Sequence, residues 1–135
     1  MKLIVDANIL FAALIKNRCT ADLIFNSKLE LYTPEFIFEE FKKYEKLILT
    51  KTSRTKEEFE EIFSLFKEFI KVINFKDYSE KIDEAKNISP DEKDIAYIAL
   101  ALKLNCGVWS NDKILKNQEK VKIHSTSELV HMFFN

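Results

Sequence analysis

Four acidic residues occupy positions where a carboxylate is not simply facing solvent: Asp6, Glu40, Asp94 and Asp112. Asp6 and Asp112 each follow a short apolar run, which predicts that they lie just beyond the ends of buried strands. Glu40 and Asp94 fall within or beside the apolar stripe of a predicted helix. A carboxylate that faces a core needs a proton, a cation or several hydrogen-bond donors. If the four converge, the sequence predicts a site for a bound cation.

The residue types indicate which cation this would be. Ligands that are all carboxylate oxygens favour Mg²⁺ or Mn²⁺, whereas zinc prefers Cys and His. Cys19 and Cys106 are far apart, with neither paired zinc-ligand spacing nor a disulfide framework. His124 and His131 lie near the C-terminus, away from the predicted strand ends. We therefore expect a Mg²⁺ or Mn²⁺ site.

A helix is predicted to begin at Thr33-Pro34, a cap followed by proline at the first helical position, and to run to about Leu49. Its apolar stripe consists of Ile37, Phe41, Tyr44 and Ile48. Rotation by about 100° per residue places Glu40 inside this arc and Glu39 on the opposite, solvated side. Glu40 is therefore expected to face inward.

A second helix is predicted from the capping box Ser89-Pro90-Asp91-Glu92 to Leu104, with Gly107 ending it. Asp91 and Asp94 project toward the stripe that should face the sheet. The other side of this helix is apolar as well, and Tyr97 lies on it. Another element or a partner subunit should cover that side, and a homodimer is the partner that we expect.

Short apolar runs alternate with the helical patterns. Strands are predicted at 2–5, 29–32, 108–110 and 121–123, and at 72–75 after a long amphipathic pattern that reaches Ile73. This alternation predicts an α/β fold in which helices cover both faces of a mainly parallel sheet of four to five strands. The length of 135 residues suits a single domain, 1–135.

Composition excludes several other classes of protein. A net charge of −1 does not favour binding to a polyanion. Contact with nucleic acid would therefore need local basic residues such as Lys113 and Lys116. The N-terminal apolar run is broken by Asp6 and Asn8, which argues against a signal peptide or a membrane span. A cytoplasmic protein without membrane association is expected.

Taken in order, Asp6-x-Asn8, the mid-chain Glu40, Asp94 and Ser110-Asn111-Asp112 resemble the PIN-domain nucleases over nearly the whole chain. The resemblance implies a Rossmann-like three-layer sandwich and cleavage of single-stranded RNA. It assigns the catalytic, metal-binding quartet to Asp6, Glu40, Asp94 and Asp112. Ser110 would support the site with its hydroxyl, although the family more often has Thr there. Asn8 would also support it, and Asp91 is a further candidate ligand.

The implied activity is Mg²⁺- or Mn²⁺-dependent hydrolysis of a phosphodiester by activated water. Many small members of the family resemble toxins that a protein antitoxin neutralises, which makes an antitoxin a candidate partner. An aspartyl phosphatase would need a second acid at position 8, where Asn8 stands. A receiver domain would need paired acids after the first strand. The main alternative is a PIN-like module that binds RNA or protein without cutting.

Overall fold

The computed structural model describes residues 1–15 and 18–134. Its centre is a five-stranded sheet in the order β3-β2-β1-β4-β5, in which every neighbouring pair is parallel. The strands are β1 (Lys2–Val5), β2 (Glu30–Pro34), β3 (Ile70–Ile73), β4 (Gly107–Trp109) and β5 (Ile123–His124). The predicted mainly parallel sheet of four to five strands is confirmed.

Strand β1 lies in the middle of the sheet because its sequence suits burial on both faces. Leu3, Ile4 and Val5 are all fully buried. Ile4 pairs with Tyr32 of β2 on one side and with Val108 of β4 on the other. A continuous apolar run is what a central strand of a parallel sheet requires.

Helices flank the sheet on both sides. They are α1 (Ala7–Leu14), α2 (Arg18–Ile24), α3 (Phe36–Lys43), α4 (Glu45–Thr52), α5 (Lys56–Phe69), α6 (Ile82–Ile88), α7 (Ile95–Leu104) and α8 (Thr126–Phe134). Helix α7 packs on the three central strands, and α1 and α8 both contact α2. Within the described part of the chain, none of these helices has the length and apolar character needed to cross a bilayer.

Helix α6 covers the outer side of α7, which the sequence left to another element or a partner subunit. Leu100 is buried within this single chain, and so is Tyr97, although Tyr97 packs against Phe36 of α3 rather than on the outer side. The apolar outer side of α7 therefore requires no second copy. This side of α7 therefore gives no support for the expected homodimer.

The predicted helix start at Thr33-Pro34 is wrong, since both residues belong to β2. Pairing of β1 with β2 ends at Tyr32, so the missing N–H of Pro34 deprives β1 of no partner. The Thr33 hydroxyl donates to the Val5 carbonyl oxygen at 3.0 Å instead of capping a helix. The predicted continuous helix also divides at Tyr44 into α3 and α4.

The long amphipathic pattern ends earlier than predicted. Helix α5 stops at Phe69, and Ile70 is the first residue of β3. Ile70 and Ile73 continue the three-residue spacing of the helix but pair with Leu31 and Pro34 of β2. One pair of apolar residues three positions apart fits a helix but does not exclude a short strand, so the pairing with β2 decides the matter.

The predicted end of α7 at Leu104 is confirmed, but its predicted start and the residue that caps its end need correction. Ser89 ends α6, whereas the Asp91 side chain accepts from Lys93 N and caps a 3-10 turn at residues 92–94 that leads into α7. At the other end the C-cap is Asn105, in the left-handed conformation with φ 52°. Gly107 opens β4, where an added Cβ would lie 2.9 Å from the Lys122 carbonyl oxygen. Close approach of β5 therefore explains this glycine.

Candidate active site

The candidate site lies at the carboxyl ends of β1 and β4, which are neighbours in the sheet. The chain leaves β1 toward β2 on one side and leaves β4 toward β5 on the other. Ligands of open parallel sheets bind at such a change of direction, because the diverging loops leave a crevice there. Asp6 directly follows β1, and Asp112 lies three residues after the end of β4.

Asp6 is held on both carboxylate oxygens and is only 7% exposed. Its Oδ1 accepts from the backbone N–H of Asn8 at 2.5 Å and so caps α1. Its Oδ2 accepts from the Ser110 hydroxyl at 2.5 Å. Burial raises the pKa of Asp6, the nearby Asp112 adds to the rise, and the two hydrogen bonds oppose it. Asp6 therefore has a fixed orientation.

Ser110 links the ends of the two strands. Besides donating to Asp6, its fully buried hydroxyl accepts from the backbone N–H of Asp112 at 3.1 Å. Asp112 Oδ1 accepts from Ile114 N at 3.0 Å, so this acid also caps the turn that follows it. The intervening Asn111 is bonded through its side chain to Thr126, which opens α8. The loop that carries Asp112 is thus tied down at two points.

Asp94 has the least satisfied carboxylate of the site. The residue is 5% exposed, and its Oδ2 is buried without a hydrogen-bond partner. Burial raises the pKa of Asp94 to about 6, and the charges of Asp112, Asp91 and Asp6 add to the rise, while Lys93 opposes it. A buried acceptor that lacks a donor is costly unless a proton or a cation meets it.

Glu40 is exposed, contrary to the prediction that it faces the core. Phe38 is buried and Tyr44 is 43% exposed, so the buried face of α3 is turned away from the predicted arc. Glu40 nevertheless lines the same cleft as Asp6, Asp94 and Asp112. It stands at the edge of the cleft, where water solvates it.

The structure thus brings the four predicted acids to one cleft but not into a closed cluster. In residues 1–15 and 18–134, no group of three or more Asp, Glu, His or Cys side chains is arranged to hold a metal ion. The donor set is nonetheless suited to Mg²⁺ or Mn²⁺, because every acidic ligand is a hard oxygen. The unpartnered Oδ2 of Asp94 is the atom that most needs a cation.

The remaining predicted residues lie in different places. Asn8 is exposed and lines the cleft. Asp91 caps the 92–94 turn and is not part of the cleft lining. Lys113 is exposed beside Asp112, and Lys116 forms an ion pair with Glu128 at 2.9 Å.

Sequence reasoning missed Lys93 and Tyr97, both of which line the cleft. Lys93 adjoins Asp94, and only its position next to a candidate ligand could have signalled a role. Tyr97 lies three residues after Asp94, so the two share a face of the helix. A hydroxyl group at that spacing in an otherwise apolar helix was the available signal.

Comparison with known proteins agrees with this architecture. The chain resembles the VapBC2 structure from Rickettsia felis, solved bound to a DNA fragment from their promoter, with a TM-score of 0.60 and 15% identity. The match covers 93% of this chain and 98% of that one, and at this identity it shows the fold. No protein of curated function matches the sequence significantly. The PIN domain family model matches residues 4–130, nearly all of the sheet and its helices, and the chain therefore belongs to the PIN domain family.

Proposed function

We propose that this protein is a Mg²⁺- or Mn²⁺-dependent endoribonuclease that hydrolyses single-stranded RNA. One observation carries the proposal: acids from four separate segments line a single cleft at the carboxyl ends of the sheet. Membership of the PIN domain family supports nuclease chemistry. The preference for RNA rests on the resemblance to PIN-domain nucleases.

Asp6, Asp94 and Asp112 are the residues that would hold the ion, and Glu40 would complete the set from the edge of the cleft. A bound Mg²⁺ or Mn²⁺ would lower the pKa of a water molecule and offset negative charge on the phosphate. The four carboxylates place negative charge in the cleft lining, and this charge would attract the cation. Asp94 Oδ2 has no hydrogen-bond partner that an ion would have to displace.

Ser110 and Asn8 would act through the acids. The Ser110 hydroxyl holds Asp6 and the Asp112 backbone in fixed relation, so the two strand ends place both acids in the lining of one cleft. Asn8 donates its backbone N–H to Asp6 and exposes its side chain to the cleft. Lys93, the cation in the cleft lining, would attract the RNA backbone.

The test is digestion of a fluorescent single-stranded RNA in Mn²⁺ and in EDTA, by wild type, Asp6→Asn and Asp22→Asn. Asp22 makes a matched control, because it is exposed on α2 and lies outside the cleft. Wild type and Asp22→Asn should cleave in Mn²⁺ only. Asp6→Asn should lose at least about 100-fold in rate. Equal cleavage by Asp6→Asn and wild type would refute the assignment.

Mn²⁺ binding is measured separately, by the rise in melting temperature that a ligand of the folded state produces. Wild type and Asp22→Asn should gain the same increase, and Asp6→Asn a smaller one. An equal gain by all three proteins would place the ion elsewhere.

A second candidate function is binding of RNA or protein without cleavage. The specific observation in its favour is that no three potential metal ligands in the described residues are already arranged around one point. Such a module would bind RNA equally well in EDTA and in Mn²⁺, and Asp6→Asn would leave binding unchanged.

We also propose that the protein is a toxin that works in the cytoplasm, forms a homodimer and is neutralised by a protein antitoxin. The resemblance in fold to VapBC2 of Rickettsia felis supports the toxin and its antitoxin partner. A small open reading frame beside the gene would encode the antitoxin. Its co-expression should restore growth that the wild-type protein arrests, and light scattering should give the mass of a dimer.

A further inference from the structure

The Tyr97 hydroxyl is a neutral polar group in a cleft otherwise rich in charge. Tyr97 is 7% exposed, and it lines the cleft together with Asp6, Glu40 and Asp94. Its ring packs edge-on against Phe36 of α3, with 5.8 Å between the ring centroids. The side chain is therefore held in place by packing against α3.

The hydroxyl oxygen accepts a hydrogen bond from Ala7 N at 3.3 Å. This is the one hydrogen bond of the Tyr97 hydroxyl within the described ranges. The hydroxyl therefore donates no hydrogen bond to a carboxylate there. A phenol can donate as well as accept. Because the oxygen accepts this bond and the described residues give the hydroxyl proton no acceptor, the proton remains available to a group in the cleft.

We propose that Tyr97 is a substrate-contacting residue whose hydroxyl donates a hydrogen bond to a phosphate oxygen of RNA bound in the cleft. This inference rests on the proposed ribonuclease function and names a further contact in the same site. A carboxylate-lined cleft offers acceptors, which repel a phosphate, whereas a neutral donor attracts it. Burial and the charges of Asp6, Glu40 and Asp94 raise the pKa of Tyr97, so it keeps its proton at neutral pH.

The test compares Tyr97→Phe with Tyr78→Phe. Both substitutions remove one hydroxyl from a buried tyrosine. Tyr78, which is 1% exposed, differs from Tyr97 in that it does not line the cleft. Binding of fluorescent single-stranded RNA is measured in Ca²⁺, to limit turnover, and Mn²⁺ binding is measured by calorimetry. Melting temperatures verify that both variants fold.

Tyr97→Phe should weaken RNA binding about 10-fold, the effect of losing one hydrogen bond to a charged group, and should leave Mn²⁺ affinity within about 2-fold. Tyr78→Phe should change neither. Unchanged RNA affinity in Tyr97→Phe would overturn the inference, as would an equal loss of RNA and Mn²⁺ affinity, which would mean that the hydroxyl acts on the acids. If wild type neither binds nor cleaves RNA, the proposed function fails and this inference fails with it.

Discussion

The hydroxyl of Ser110 donates to Oδ2 of Asp6 across 104 positions of sequence. The same hydroxyl accepts from the Asp112 backbone N–H. One buried oxygen therefore sets both the orientation of the acid after β1 and the path of the loop after β4. The Asp6 carboxylate is therefore held on both oxygens by the protein itself.

Replacing Ser110 with Ala should lower the rate of RNA cleavage by about 10- to 100-fold, because Asp6 loses a donor and Asp112 N loses its acceptor. Loss of that donor should also raise the pKa of Asp6, since the Ser110 bond lowers it. The acidic limb of the pH–rate profile should then move to higher pH. Steady-state rates between pH 5 and 8 measure both effects.

Ser110→Thr is the matched control, because it keeps the hydroxyl at the same position. Its activity should exceed that of Ser110→Ala, provided that its melting temperature shows that the added methyl group fits. Equal activity of Ser110→Ala and wild type would show that the link between the strand ends is dispensable.

Asp94 should make the metal-free protein less stable as the pH rises. Burial raises the pKa of Asp94 to about 6 in the folded protein, against an ordinary value of 3.8, so the folded state binds the proton more tightly. The free energy of unfolding should therefore fall between about pH 4 and pH 6, by about 1–3 kcal/mol, and level off above. Urea unfolding in EDTA from pH 4 to pH 8 measures the slope.

Asp94→Asn should flatten that slope, and Asp83→Asn, an exposed change on α6, should leave it as in wild type. Mn²⁺ should reverse the trend in wild type, since the ion competes with the proton for the same carboxylate. Identical slopes for Asp94→Asn and wild type would show that Asp94 does not titrate as its burial indicates.

RNA binding should depend on salt more through Lys93 than through Lys116. Lys93 lines the cleft, whereas Lys116 is already paired with Glu128. Lys93→Gln should reduce the slope of log Kd against log salt by about 0.7, the value for one phosphate contact in a single strand. Lys113→Gln tests the exposed neighbour of Asp112 in the same way. Titrations between 50 and 200 mM salt, a range of about fourfold, resolve this change. An unchanged slope in Lys93→Gln would show that Lys93 does not contact a phosphate.

Gly107→Ala should destabilise the protein by about 1–3 kcal/mol, because the new Cβ would lie 2.9 Å from the Lys122 carbonyl oxygen and 3.0 Å from the His124 ring. Asn105→Gly should be neutral or stabilising, since Asn105 has a φ of 52°. Urea unfolding of both variants makes the comparison. A harmless Gly107→Ala would mean that β5 moves readily away from β4.

Local patterns in the sequence determined the approximate positions of the strands, the parallel class of the sheet and the acids at its carboxyl ends. Leu3-Ile4-Val5 predicts a buried strand wherever it occurs, and an acid placed directly after such a strand must lie at the edge of the sheet. The order of Asp6, Glu40, Asp94 and Asp112 also sufficed to suggest the family.

Only the tertiary structure decided how deeply each acid is buried and which groups it hydrogen-bonds. Burial and hydrogen bonding depend on contacts between distant segments, such as Ser110 with Asp6 and Tyr97 with Ala7, and no local pattern specifies them. The same holds for Glu40. It is exposed because α3 is oriented with Phe38 on its buried face. Residue spacing sets the face of a helix on which a side chain lies, but packing of the whole chain sets what that face meets.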